Sequence, residues 1–351
     1  MRPTITITMP VYNGERFLER AIASALAQAD PPDEILVIDD HSQDSSSTIV
    51  KDYLSSSFRY LRNDVNVGIA KNWNRCLQQA TGDFVMFLHQ DDELFPDAVR
   101  LTRQVLSDHP QVDHVFGQVW HYDGARAFPG PGEQFGLLSA KEYFLRSCGS
   151  FYEWDSGSTT RRDLALQIGG YDETTRHVTD VDFWIRLGLQ LGAAYAIDAP
   201  IATFRVHQGN LHKRLNTEDV ADWEYLTLLR KIAQTFEIPA HLRPSAMRAL
   251  FPVLSRSVTA ALRQGRLDHA RALATQTQAL VQELDGSLIS AASAPSRLLL
   301  RLTRESALGA GLAWLLVRIW ELGRNAGLGL TRPAPSEYTL EQLIERVQRC
   351  G

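Results

Sequence analysis

Residues 84–92 read Phe84-Val85-Met86-Phe87-Leu88-His89-Gln90-Asp91-Asp92, five consecutive apolar residues running into two carboxylates. An unbroken apolar run of this length, preceded by Thr81-Gly82, reads as a strand covered on both faces. Upstream, Glu34-Ile35-Leu36-Val37-Ile38 repeats the pattern and ends in Asp39-Asp40. Further back, Thr4 to Thr8 alternates polar and apolar residues at period two until Pro10-Val11-Tyr12-Asn13-Gly14 breaks it. From there Phe17, Leu18, Ala21, Ile22, Ala25 and Leu26 recur at helical spacing, and Asp30-Pro31-Pro32 stops the helix. A second helix is expected from Lys71 to Ala80. Buried strands alternating with helices predict an α/β fold with a mostly parallel sheet flanked by helices.

In such sheets ligands bind beyond the carboxyl ends of the strands. Here those ends are Pro10–Asn13, Asp39-Asp40 and His89–Asp92. Asp91-Asp92 offers hard oxygen ligands at a cleft edge, suited to Mg²⁺ or Mn²⁺ bridging a diphosphate; the competing reading is a helix cap, because Pro96 and a helix to Leu106 follow. Asp39-Asp40-His41-Ser42 is either turn chemistry or a carboxylate that accepts from a nucleoside. Tyr12 is either packing or a ring for a base to stack on. Gly68 ahead of a helix, with Lys71 in its first turn, suits a phosphate. Asp180, in Thr179-Asp180-Val181-Asp182-Phe183-Trp184, falls in the first turn of a helix, where a carboxylate is a candidate general base or simply complements the helix dipole. Phe204-Arg205-Val206-His207 ends the last strand-like piece with an imidazole able to join a metal.

The 351-residue chain has two chemically distinct parts. Residues 1–210 carry 18 basic and 28 acidic side chains, residues 211–351 carry 18 and 13, so −10 is followed by +5. The acids of the first part include Asp39, Asp40, Asp91, Asp92, Asp180 and Asp182, most of them at expected strand or helix ends around one cleft. The overall balance of −5 speaks against a nucleic-acid partner. Cys76, Cys148 and Cys350 form no ligand or disulfide pattern and fit a reducing compartment. The longest apolar run, Ala307 to Val317, is 11 residues, short of the roughly 20 needed to span a bilayer. A cytoplasmic protein is expected.

Residues 120–157, rich in glycine, proline and aromatics, are expected to loop over the site. After about residue 211 the pattern turns helical, over 222–236, 246–263, 267–284, 295–322 and 336–349. Within 295–322, Arg297, Arg301 and Arg304 share a helical face beside leucines, ahead of Trp314 and Trp320. That face either lies on an anionic membrane surface, at the inner face of the cell membrane, or packs against the first domain.

Four segments together, PVYNGERFLERAIASAL (10–26), ILVIDDHSQDSS (35–46), FVMFLHQDDEL (84–94) and TDVDFWIRL (179–187) followed by FRVH (204–207), resemble the inverting family 2 glycosyltransferases of the GT-A (Rossmann-like) fold. The resemblance covers about residues 4–210 and stops before the helical part. It implies a catalytic domain over 1–210; the helical pattern beyond it is read as an α-helical region over 211–351 for packing, oligomerisation or membrane association. It implies transfer of a sugar from a nucleoside-diphosphate sugar, UDP slightly ahead of dTDP or GDP, to a hydroxyl of a glycan or lipid-linked glycan in surface polysaccharide synthesis. By the same resemblance Pro10, Tyr12 and Asp39 hold the nucleobase, and Lys71 lies near the nucleotide. Asp92 ligates Mn²⁺ or Mg²⁺, Asp91 serves the ribose or the metal, His207 meets the metal or diphosphate, and Asp180 is the base. The chain departs from the pattern at His89, where many relatives have aspartate, and at Thr179, where many have glutamate. Two rival classes remain at this stage: a nucleotidyltransferase that makes nucleotide sugars, for which the Val11–Glu15 loop lacks a triphosphate cradle, and a catalytically silent binding module.

Overall fold

The computed structural model describes residues 2–123, 127–129, 135–149, 155–210, 220–243, 245–246, 249, 257–262 and 264–283. The expected helices over 295–322 and 336–349, and the arginine face they carry, lie outside the described residues. Two compact units are present, one containing the described residues up to Ser147 and from Asp155 to Asn210, the other Cys148, Gly149 and those from Val220 onward.

The first unit is built on one sheet whose strands run β3-β2-β1-β4-β9-β6-β10-β5. β1 (Ile5–Val11), β2 (Glu34–Asp39), β3 (Phe58–Arg62) and β4 (Phe84–Phe87) are mutually parallel, β1 lying between β2 and β4. β9 (Thr159–Arg161) joins antiparallel to β4 and β6 (Val112–Tyr122), and β10 (Ala193–Arg205) runs parallel to β6. The short β5 (Glu93–Leu94) is antiparallel to β10. The sheet is therefore mixed but mostly parallel at its core, as the apolar runs predict.

β1 shows why a polar–apolar alternation need not mean a wet face. Ile5, Ile7 and Met9 pack with Leu18 and Ile22 of helix α1 (Leu18–Leu26). Thr6 and Thr8 point the other way yet are equally buried, because the sheet is covered on that side too. Thr6 is satisfied there: its hydroxyl donates to Glu34 at 2.8 Å and accepts from the Gly82 N–H at 2.9 Å. Glu34, buried in β2, also accepts from the Thr81 N–H and hydroxyl, each at 2.8 Å, and pairs with Arg59.

Helices α2 (Ser46–Lys51), α3 (Ile69–Gln79) and α4 (Ala98–Asp108) follow strands β2, β3 and β5. The stretch 120–157 is not all loop: it holds the end of β6, β7 (Ala127–Pro129), β8 (Gly136–Ser139) and helix α5 (Ala140–Gly149). β8 is paired antiparallel to β10, which converts a glycine-rich segment into a sheet edge by backbone bonds that composition does not reveal. Helices α6 (Arg162–Gln167) and α7 (Thr179–Gly188) complete this unit. In the second unit Val220–Arg230 is α-helical and continues into a π-helical turn at Lys231–Thr235, and Leu267–Glu283 forms a further helix. Asp222 and His269 pair across those two helices at 2.8 Å. No helix among the described residues is long and apolar enough to cross a membrane.

Candidate active site

The antiparallel pairing of β5 with β10 decides which residues meet. It sets Thr203 opposite Glu93, so the chain leaving β10 runs beside Asp91-Asp92. As a result His207 Nε2 lies 2.8 Å from Asp91 Oδ2, although the two residues are 116 apart in sequence. Asn210 donates to the same oxygen at 3.3 Å. Phe17 of the loop before α1 packs its ring on His207, with centroids 5.0 Å apart.

Arg205 anchors the acidic pair. Its backbone N–H donates to Asp92 Oδ1 at 2.9 Å, its Nε donates to the Asp91 carbonyl at 3.0 Å, and its guanidinium pairs with Glu93. It also lies over the rings of Phe17 and Tyr122. The second Asp92 oxygen accepts from the Ser156 hydroxyl. Both oxygens of the buried Asp92 are thus engaged by the protein, whereas the half-buried Asp91 faces an imidazole.

The pairing of β4 with β9 supplies a second long-range contact. The Gly157 N–H bonds the Phe87 carbonyl at 2.8 Å, which brings Asp155 and Ser156 beside His89. His89 Nε2 stands 3.8 Å from Asp155 Oδ2, its ring contacts Trp73, and its backbone N–H bonds Ser156 Oγ at 3.1 Å. Trp73 in turn meets Tyr171, which stacks on Phe183 of α7 with centroids 4.3 Å apart. This aromatic floor supports the first turn of α7, where Asp180 is half-buried and accepts from the Val181 N–H at 2.8 Å.

The electrostatics follow from placing several acids in a low-dielectric cleft. Burial, and then the charge of Asp155, push the Asp180 carboxyl up to about 8. Burial, and then the charge of Asp91, raise Asp92 to about 7. Burial disfavours the charge on His89, but Asp155, Asp92 and Asp91 outweigh it and lift the imidazole to about 9. Burial opposes ionisation of Asp91 as well; the hydrogen bond from His207 and the positive charge of His89 win, and its pKa is lowered. Asp91 and His207 bring a hard carboxylate oxygen and an imidazole nitrogen together, two donors of the kind a divalent cation takes; among the described residues no group of three or more His, Cys, Asp or Glu side chains is assembled around a metal position.

The strand-end residues divide differently. Asp39 is fully buried: Oδ1 accepts from the Ser42 N–H at 2.8 Å and Oδ2 from the Tyr60 hydroxyl at 2.7 Å. Asp40 binds the chain entering α3, as Oδ1 accepts from Asn63 Nδ2 and the Val67 N–H and Oδ2 from the Gly68 N–H, at 2.7, 2.8 and 2.9 Å. This shapes the turn at Gly68, whose φ of +89° is left-handed and suits glycine. Lys71 stands exposed three residues beyond it, in the first turn of α3. Pro10 is buried within β1, opposite Ile38, and Tyr12 projects from the strand end with 47% of its surface exposed. Asp182, counted by its position among the cleft acids, is instead buried in the body of α7 and bonded to Arg186 at 2.7 Å. Residues whose place in the site no motif announces are Asp155, Ser156, Arg205 and Asn210; Arg205 lies inside the FRVH motif, but only strand pairing shows what it holds.

Residues 6–169 match the family model described as glycosyl transferase family 2. This stretch is a glycosyltransferase family 2 domain. The match ends just after α6, so Asp180 and His207 lie beyond it. Over 158 residues the chain is 31% identical to a Campylobacter jejuni GalNAc(5)-diNAcBac-PP-undecaprenol beta-1,3-glucosyltransferase, covering 43% of this chain and 50% of that one. Alignments with the first curated relatives span 64–66% of those proteins' length. In fold, it resembles Staphylococcus aureus TarS 1–349 crystallised with UDP-GlcNAc, with a TM-score of 0.72, 16% identity and coverage of 91% of this chain and 92% of that one. A more distant likeness, TM-score 0.51 and 18% identity over 92% and 88% of the chains, is to the Pyrobaculum calidifontis mannosyltransferase PcManGT crystallised with GDP-Man and Mn²⁺. The GT-A architecture of the first unit is that of these enzymes.

Proposed function

We propose that this transferase moves a sugar, with inversion at the anomeric carbon, from a nucleoside-diphosphate sugar to a hydroxyl of a glycan or lipid-linked glycan acceptor. The observation that carries the reading is Asp180: a carboxyl held near neutral pKa by burial and by Asp155, at the mouth of a helix, in the same cleft as the Asp91–His207 pair. A base with that pKa can take a proton from an acceptor hydroxyl as its oxygen attacks, and can release it again at physiological pH. The Val181 N–H, donating to Asp180 Oδ1 at 2.8 Å, fixes the direction of the carboxyl.

At the other end of the cleft Asp91 and His207 would hold Mn²⁺ or Mg²⁺, with Asp92 bearing on them from behind. A divalent cation there supplies charge stabilisation for a departing nucleoside diphosphate. Arg205 keeps the two aspartates in register by bonds to one carbonyl and one carboxylate. This arrangement favours Asp91 over Asp92 as the direct ligand, the reverse of the assignment drawn from the resemblance. Tyr12 and Pro10 line the base end, Asp39 shapes that end through Ser42 and Tyr60, and Lys71 offers positive charge beside the diphosphate.

UDP is the favoured nucleotide, in keeping with the UDP-GlcNAc complex of TarS. A lipid-linked acceptor at the cytoplasmic face of the membrane, within surface polysaccharide assembly, accords with the undecaprenol-linked substrate in the Campylobacter relative's name. The test is incubation with Mn²⁺ and a panel of UDP, dTDP and GDP sugars, following release of nucleoside diphosphate. Asp180→Asn should lower turnover by roughly 10²–10⁴ and leave nucleotide binding intact. Wild-type transfer by that variant would remove Asp180 from the role of base. Pyrophosphate formation instead of nucleoside diphosphate release would make the protein a nucleotidyltransferase.

A further inference from the structure

Gln90 sits between His89 and Asp91, but its side chain turns back toward the loop after β1. Its Oε1 accepts from the Tyr12 N–H at 2.7 Å and its Nε2 donates to the Tyr12 carbonyl at 3.1 Å. One amide side chain thereby satisfies both backbone groups of a single residue, as a neighbouring strand would, across 78 positions of sequence. The loop it grips is held from the opposite side by the β2 loop: Asn13 N–H bonds Ser42 Oγ, Asn13 Oδ1 accepts from Gln43 N–H, and Gly14 N–H bonds Ser46 Oγ. Asn13 itself is left-handed, with φ of +50°, a conformation that such surrounding bonds must hold.

Gly14 provides an independent sign that the space is reserved for Gln90. A Cβ at position 14 would lie 2.7 Å from Gln90 Oε1 and 2.9 Å from its Cδ. The glycine is not required there by a left-handed φ, since only its neighbour Asn13 has one. What position 14 lacks is room, and the amide of Gln90 is what fills it.

We propose that Gln90 is a positioning residue for the nucleotide: by gripping the Tyr12 backbone it holds the exposed Tyr12 ring in place for the base and ties that loop to the Asp91 end of the cleft. The inference rests on the nucleoside-diphosphate reading above. Because the ring of Tyr12 is largely exposed, its placement depends on its backbone, and a loop ordered before binding spares the ligand the entropy of ordering it.

Binding of UDP in the presence of Mn²⁺, measured by calorimetry, tests this together with donor kinetics and amide exchange. Gln90→Ala should weaken UDP about tenfold and raise donor KM by a similar factor, with the loss falling on KM and not on kcat. The Tyr12 N–H should exchange faster in this variant without any ligand, while the melting temperature holds. Gly14→Ala should push the amide aside and reproduce the same loss. In Gly14→Ala/Gln90→Ala both contacts under 3 Å are gone and the Cβ of residue 90 stays at 3.3 Å, so the double variant should bind no worse than Gln90→Ala. UDP binding by Gln90→Ala equal to wild type, losses that multiply in the double variant, or unchanged exchange at Tyr12 would each overturn the inference. A wild-type protein that binds none of UDP, dTDP or GDP would overturn the donor reading and this inference with it; unchanged binding by Gln90→Ala alone would overturn only the latter.

Discussion

Asp40→Asn changes one atom at the hub that shapes the approach to α3, and its cost can be worked from three hydrogen bonds. The carboxylate is buried and accepts from Asn63 Nδ2, the Val67 N–H and the Gly68 N–H. An asparagine oriented to keep its oxygen toward Asn63 and Val67 presents its own NH₂ to the Gly68 N–H, donor against donor. Two charge-assisted bonds become neutral ones, about 1 kcal/mol lost on each, and one N–H loses its partner at about 1–3 kcal/mol. Burying a neutral amide is less costly than burying a carboxylate, which offsets part of this. The net expectation is about 3 kcal/mol. For a unit of this size that corresponds to a fall in melting temperature of roughly 6–12 °C. The perturbation is local, so amide exchange should show protection lost first at Val67 and Gly68. A variant that melts within about 1 °C of wild type, with both amides still slow, would refute the reasoning that Asp40 organises this loop.

Two further predictions concern pH. Burial opposes the charge of Glu34, yet the Thr81 and Thr6 donors and Arg59 win and its pKa is lowered; the Thr4 N–H and hydroxyl lower that of Asp83. A carboxyl depressed on folding contributes stability that is fully present above its unfolded value, 4.5 for Glu34 and 3.8 for Asp83, and that is lost as pH falls through the folded value. Denaturation midpoints should therefore drop below about pH 4.5, and Glu34→Gln should flatten that decline. Asp180 must be ionised to act as a base, and its carboxyl is raised to about 8, so donor-saturated turnover should climb with pH toward a plateau above that value. Asp155→Asn removes the second cause of the shift, so the limb should move to lower pH; a limb that stays in place would detach Asp155 from the base.

The strands, the helices that follow them and the acids at their ends were legible in the sequence because each depends on neighbours close in the chain. Five apolar residues before Asp91, or helical spacing from Phe17 to Leu26, state a buried strand or a one-sided helix without reference to anything distant. The same locality explains what could not be read. Asp39-Asp40 and Asp91-Asp92 look alike as strand-terminal pairs, yet the first is taken up by Ser42, Tyr60 and the loop before α3, while Asp91 is left facing His207. Asp182 looks as exposed to the cleft as Asp180, two residues away, until the buried pair with Arg186 is seen.

What separates these carboxylates is the supply of donors around them, and strand pairing sets that supply. β5 against β10 delivers Arg205, His207 and Asn210 to the acidic pair; β9 against β4 delivers Ser156 to the second oxygen of Asp92 and Asp155 beside His89. Sequence alone therefore determined which residue types stand at the open ends of the sheet. The tertiary structure decided which of them bind the protein and which remain for a ligand, because a carboxylate's role and its pKa depend on the charges and N–H groups that distant segments bring within hydrogen-bond reach.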